Sequence, residues 1–284
     1  MMRAVPALAS SMKRVLALSL ACVAAIARAD APKPVDLPLW EVGVAAGTLS
    51  QQAYPGADEQ VRRTPVLPYV IYRGKVLRAD DEGAGLRAVR TEGFELDVSF
   101  AGSLSSGGKS LRAREGMPRL PTLVEFGPVA RWYLNGRGAK DRLSFELPLR
   151  GVFEARDLRR HRGMSLEPEL SLDRRVKGGW SYGLSAGLLI GDERLGATYY
   201  TVAPGEVLPD RPAYEAKAGL IAWRLKGGVS HQLTPDMRVF AFGRVDSVAG
   251  AANRDSPLVR RTTGASVGIG LTYTFARSAA LASD

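Results

Sequence analysis

The chain has 284 residues, a formal net charge of +10, one cysteine and two histidines. A single cysteine excludes an internal disulfide and a multi-thiolate metal site, and two histidines leave little for acid–base chemistry. No apolar run reaches the roughly 20 residues that a membrane-spanning helix needs, which excludes a helical membrane protein.

Residues 1–29 read as a secretory signal peptide. Lys13 and Arg14 form its charged region, Val15 to Ile26 is apolar, and Ala27-Arg28-Ala29 offers a cleavage site before Asp30. Cys22 lies inside that signal. Its acylation as a lipoprotein is disfavoured because Ser19 stands where a lipobox wants Leu. Arg3, Lys13, Arg14 and Arg28 leave with the signal, so the mature chain carries +6. For an exported protein that excess suits anionic lipid headgroups or lipopolysaccharide phosphates, and not nucleic acid.

From Trp40 onward the chain alternates with a period of two, the mark of strands. Phe94, Leu96, Val98 and Phe100 oppose Glu95, Asp97 and Ser99. Val124, Phe126, Ala130, Trp132 and Leu134 oppose Glu125 and Arg131. Leu143, Phe145, Leu147, Leu149 and Phe153 oppose Arg142, Glu146, Arg150 and Glu154, with Pro148 read as a bulge or bend. Leu166, Leu170 and Leu172 oppose Glu167, Glu169 and Asp173. Trp180, Tyr182, Leu184, Ala186, Leu188 and Ile190 oppose mostly glycine and serine. Met237, Val239, Ala241 and Val245 oppose Arg238, Arg244 and Asp246. The last segment is the clearest: Ala265, Val267, Ile269, Leu271, Tyr273 and Phe275 share one face, and Gly264, Ser266, Gly268, Gly270, Thr272 and Thr274 the other.

An apolar outer face, an inner face with charges of both signs, and aromatics near a strand end predict an all-β fold: a single antiparallel transmembrane β-barrel over residues 30–275, with a tail at 276–284. A soluble two-sheet protein is the alternative. About twelve strands are expected, at 40–50, 64–73, 75–79, 85–90, 93–103, 120–134, 141–155, 163–176, 179–191, 215–233, 237–249 and 262–275. The count falls to ten if the third and fourth belong to a bent loop. Short connections alternate with long ones, as in barrels whose short turns face the periplasm.

No catalytic, cofactor-binding or metal residue stands out. His161 lies among arginines, which disfavour metal binding. Ser230 and His231 are neighbours and so point to opposite faces. Glu146, Glu154, Glu167 and Glu169 are read as lumen charges paired with cations. Two long loops are basic, one with Lys109, Arg112, Arg114 and Arg119, the other with Arg156, Arg159, Arg160 and Arg162. If outward-facing, these are candidate contacts to lipopolysaccharide phosphates; solvated loop charge is the plainer reading.

Three stretches resemble the MltA-interacting protein (MipA/OmpV) family. They are Trp40 to Gly47 followed by Tyr54-Pro55-Gly56; Leu67-Pro68-Tyr69 running to Arg78; and Asp255-Ser256-Pro257-Leu258-Val259 leading into Gly268 to Phe275. Tyr199-Tyr200-Thr201-Val202 also fits. The resemblance implies an outer-membrane barrel of a Gram-negative bacterium. It further implies a non-enzymatic scaffold, without a cofactor, that links a lytic transglycosylase to a penicillin-binding protein. The alternatives are a narrow pore and a barrel enzyme acting on lipid or lipopolysaccharide.

Overall fold

The structure, a computed structural model, describes residues 37–74, 77–80, 83–103, 111–176 and 178–282. The expected signal peptide, with Cys22, and Lys109 lie outside them. Among the described residues, fourteen strands form one sheet. The first half comprises β1 (Trp40–Gln52), β2 (Gln60–Arg63), β3 (Val66–Arg73), β4 (Leu77–Asp80), β5 (Gly83–Arg90), β6 (Phe94–Ser103) and β7 (Leu123–Tyr133). The second half comprises β8 (Asp141–Glu154), β9 (Asp157–Leu166), β10 (Glu169–Val176), β11 (Trp180–Gly191), β12 (Gly219–Gln232), β13 (Met237–Ser247) and β14 (Thr263–Arg277). One helix, α1 (Glu193–Tyr200), lies between β11 and β12.

Sequential strands pair antiparallel, β14 returns to β1, and β8 reaches across to β10. With β2 and β9 set aside, the other twelve strands close a ring. The short β4 and β5 are real strands of that ring, which decides for twelve over ten. Closure of the sheet on itself leaves the ring no terminal strand, which is the condition for crossing hydrocarbon. The outer face is apolar: on β14 every odd residue from Thr263 to Arg277 is exposed, and Leu184, Leu225 and Ile269 stand clear of the wall. Trp40, Trp132, Trp180, Tyr182, Tyr273 and Phe275 face outward near the short-turn ends, where an aromatic girdle meets the headgroups. The chain is therefore a transmembrane outer-membrane-type barrel.

The segment expected as one strand over 163–176 is two. Pro148 and Pro168 lack the N–H that a continuous ladder needs. At Pro148 the β8 strand changes partner, from β10 over Asp141–Glu146 to β9 over Leu149–Glu154. Most of the expected loop at 156–162 is thereby a strand, β9, rising past the ring beside β8. The loop after β1 likewise holds the short β2, paired to the end of β1.

First and last strands meet at a tight seam. β1 is bulged between Val42 and Gly43, and a Cβ on Gly43 would strike the Tyr273 carbonyl and the Tyr69 ring. Tyr69 and Thr274 share a hydrogen bond across this point (2.5 Å). The pairing continues past Phe275, where the side-chain pattern stops. Ser278 N–H donates to Trp40 O (2.9 Å), Leu39 N–H to Ala280 O (2.8 Å) and Ala282 N–H to Leu37 O (2.8 Å). Backbone bonds need no apolar alternation, so the start of the tail is tied to the start of β1.

Candidate functional site

At the end of the ring opposite the short turns, the long connections fold over the mouth. Leu123, Val152, Leu189 and Ala222, on the inward faces of their strands, are buried in one apolar cluster with Tyr54, Leu111, Tyr199, Tyr200, Val248 and Leu258 from the loops. Four connections thus meet above the lumen as a cap.

Three tyrosines organise it. Tyr54 stacks on Tyr199 at 6.4 Å between centroids and meets Tyr200 edge-on at 6.3 Å. Two of the buried hydroxyls are tied to backbone carbonyls: Tyr54 donates to Leu258 O (2.8 Å) and Tyr200 to Pro55 O (2.9 Å). Ser256 Oγ donates to Tyr200 O (2.8 Å), and Arg114 Nη1 to Tyr199 O (3.0 Å). Local sequence sets these pieces in place. Asp192 caps α1 by accepting from Leu195 N–H (2.8 Å). Pro55-Gly56 makes a turn with Gly56 at φ +91°, a conformation that favours glycine. The Gly56 carbonyl then accepts from Arg260 and Arg261 N–H (2.7 and 3.0 Å). Ser256 Oγ, and not Asp255, closes the Asp255-Ser256-Pro257 turn, accepting from Leu258 N–H (3.3 Å). Tyr54-Pro55-Gly56, Tyr199-Tyr200 and Ser256 to Val259, scattered in sequence, are one cluster in space.

Burial pushes the Tyr54 phenol up to about 12, and raises Tyr199 and Tyr200 as well. Burial also draws the Arg114 guanidinium below its ordinary value. A phenol whose folded pKa is raised keeps its proton while the unfolded chain has lost its own. The cap's stability is then full below the ordinary tyrosine value of about 10 and falls as pH rises through about 12. An absorbance titration at tyrosinate wavelengths should show Tyr54→Phe removing a late-titrating group; an unchanged curve contradicts the burial of this ring.

Beneath the cap the lumen wall has two characters. Over β6 to β13 it is charged and paired. Arg131, 7 % exposed, makes a two-pronged contact with Glu146 (2.8 and 3.2 Å). Glu95, 1 % exposed, accepts from Tyr133 OH and Arg137 (both 2.9 Å). Arg224 sits between Asp246 (2.8 Å) and Glu167 (2.9 Å), and Asp246 also takes Arg244 (2.9 Å). Along β14 the wall is uncharged and small, built of Gly264, Ser266, Gly268, Gly270, Thr272 and Thr274. Phe240 and Phe242 lie across β14, so that a Cβ on Gly270 or Gly268 would stand 2.7 or 2.5 Å from their rings. Phe242 remains 44 % exposed, toward the lumen. These two rings share the face of Arg238 and Arg244, and the register of β13 with β14 sets them opposite Gly270 and Gly268.

Of the basic loop residues, Arg112, Arg119, Arg156, Arg159 and Arg160 are exposed on the capped end. Arg114 turns into the cap, and Arg162 pairs with Glu154. Arg160 reaches Asp157 (3.4 Å). His161 Nδ1 lies 3.2 Å from an Arg194 nitrogen, and the His231 ring stacks on Trp180 at 4.3 Å on the outer wall. Ser230 faces the lumen, opposite to His231. Glu146, Glu154, Glu167 and Glu169 each meet a cation.

A family model described as MltA-interacting protein MipA matches residues 42–275. No curated protein matches the chain. Among solved structures, outer membrane phospholipase A from Escherichia coli is 14% identical, covering 82% of this chain and 92% of its own, with a TM-score of 0.33. An outer membrane channel from Pseudomonas putida F1 is 12% identical, covering 88% of this chain and 100% of its own, with a TM-score of 0.34. The fold assignment rests on the closed ring itself.

Proposed function

This chain belongs to the MltA-interacting protein MipA family, and from that membership we propose that it is a non-enzymatic outer-membrane scaffold for cell-wall enzymes. Its partners on this reading are a lytic transglycosylase and a penicillin-binding protein. The observation that carries the choice between scaffold and pore is the cap: inward strand residues such as Val152 and Ala222 are fully buried beneath loops. Ion pairs fill the charged wall below. That construction favours a rigid barrel used for its surfaces over one used for its bore.

Long loops outward and short turns toward the periplasm follow barrel habit, so the partner-facing surface is the short-turn end. There the turn at 233–236 lies beside the joined termini, with Arg277 donating to Pro235 O (3.0 Å), and the turn at 134–140 stands across the ring. The exposed Arg112, Arg119, Arg156, Arg159 and Arg160 then meet lipopolysaccharide phosphates at the other end. The test is photo-crosslinking in intact cells, with the reactive residue at Arg137 or Pro235 and, as control, at Gly205 in the cap. Capture of a murein-cleaving enzyme from the short-turn positions only is expected. Capture from neither end, together with steady conductance of the wild-type protein in planar bilayers, would overturn the scaffold in favour of the pore.

A further inference from the structure

A crevice of about 330 Å³ opens on the outer wall where β1 ends, between β2 and β14. Val245, Ala265 and Ala57 give it apolar walls; Gln60, Thr263, Asp58 and Arg261 surround them with polar groups. Gln60 bridges its roof, donating from Nε2 to Ala265 O (2.9 Å). Val245 and Ala265 pair on β13 and β14, and the apolar outer face continues from them through Val267 and Ile269. The crevice is therefore continuous with the lipid-facing band and lies at its loop-end border.

Two cations stand at that border without a counterion. Arg261 is exposed and makes no ion pair among the described residues, while its backbone N–H is fixed to Gly56 O (3.0 Å). Arg62 lies two residues along β2 from Gln60, on the same face, and is likewise exposed and unpaired among the described residues. Elsewhere in the barrel many arginines find a carboxylate. Free guanidinium forks beside an apolar slot at the outer-leaflet border suit a phosphate on an acyl-bearing headgroup, because the fork matches phosphate geometry and the slot takes the first methylenes of a chain.

We propose that this crevice is a binding site for a phosphorylated lipid A headgroup, with Arg261 and Arg62 on its phosphates and an acyl chain along Val245 and Ala265. It uses residues distinct from the basic loops and rests, with the scaffold reading, on the loop end facing outward. Asp58 has the wrong sign for the phosphate and weakens the site.

The experiment uses the purified full-length barrel in non-ionic detergent with chelator, titrated with bisphosphorylated lipid A, dephosphorylated lipid A and phosphatidylglycerol, with bound lipid counted by native mass spectrometry. Arg261→Gln is expected to weaken bisphosphorylated lipid A on the order of tenfold, the usual worth of one charge-assisted bond. Ala265→Trp fills the slot and should weaken both lipid A forms, while Asp58→Asn should tighten the phosphorylated one. Heat-modifiable gel mobility verifies that each variant is folded. Wild-type affinity in both Arg261→Gln and Arg62→Gln overturns the proposal. So does equal binding of dephosphorylated lipid A, or of phosphatidylglycerol. Crosslinking at the short-turn end is independent of these outcomes, so failure here leaves the scaffold reading standing.

Discussion

Leu147→Arg is expected to abolish most assembly, whereas Glu146→Gln leaves a folded barrel. The two residues are neighbours on β8 and face opposite ways. Leu147 pairs with Ala130 on the outer wall and Glu146 with Arg131 on the inner. A cation on the lipid face near mid-bilayer costs about 2–4 kcal/mol, a large share of the about 5–15 kcal/mol that holds a typical domain together. Glu146→Gln keeps an acceptor for Arg131, so about 1–2 kcal/mol is at stake. The readout is the amount of heat-modifiable protein in isolated outer membranes. Equal yields from the two variants would refute the assigned facing of β8 and, with it, the outward apolar band.

Tyr200→Ala should open the cap without dissolving the barrel. Tyr200 is 1 % exposed, touches Tyr54 and Tyr199, and holds Pro55 through its hydroxyl. Removing a buried aromatic costs about 3–5 kcal/mol, while Tyr200→Phe removes only the hydrogen bond, about 1 kcal/mol. The strand ladders do not pass through this ring, so the Ala variant keeps its heat-modifiable mobility. Two changes are expected from it: protease nicking between residues 192 and 218, and conductance steps in planar bilayers that the Phe variant lacks. A protease-resistant, non-conducting Ala variant would show that the tyrosine cluster is not what shuts the mouth.

Strand facing was legible in the sequence because a membrane wall enforces period two along most of each strand. β14, β8 and β11 therefore read correctly residue by residue. The break between β9 and β10 was hidden because Leu166, Leu170 and Leu172 stay in phase across Pro168; the missing N–H, not the pattern, divides the strand. The cap was visible only as motifs. Tyr54 bonds Leu258 and Tyr200 bonds Pro55 across separations of 204 and 145 residues, and no local period encodes such a meeting. Phe240 and Phe242 escaped for a different reason. An apolar residue on an inner face looks like a lapse in alternation until the glycines it covers, 268 and 270, are brought beside it by the register of β13 with β14.

The seam between the first and last strands has a consequence for timing. β1 precedes nearly the whole barrel in the chain and has one side unpaired until β14 arrives. Joining two ends so far apart costs little more free energy than joining nearer ones, since closure entropy grows only logarithmically with length. It is slow instead, because the search for a distant partner precedes any contact that rewards it. Gly43, Tyr69 and Thr274 interlock only once that search has ended. Defects at this seam therefore leave the rate of that search nearly unchanged: contacts made after the barrier set how firmly the closed ring holds and how often it reopens, so a flawed seam shows as a faster-opening barrel and not as a slower-closing one.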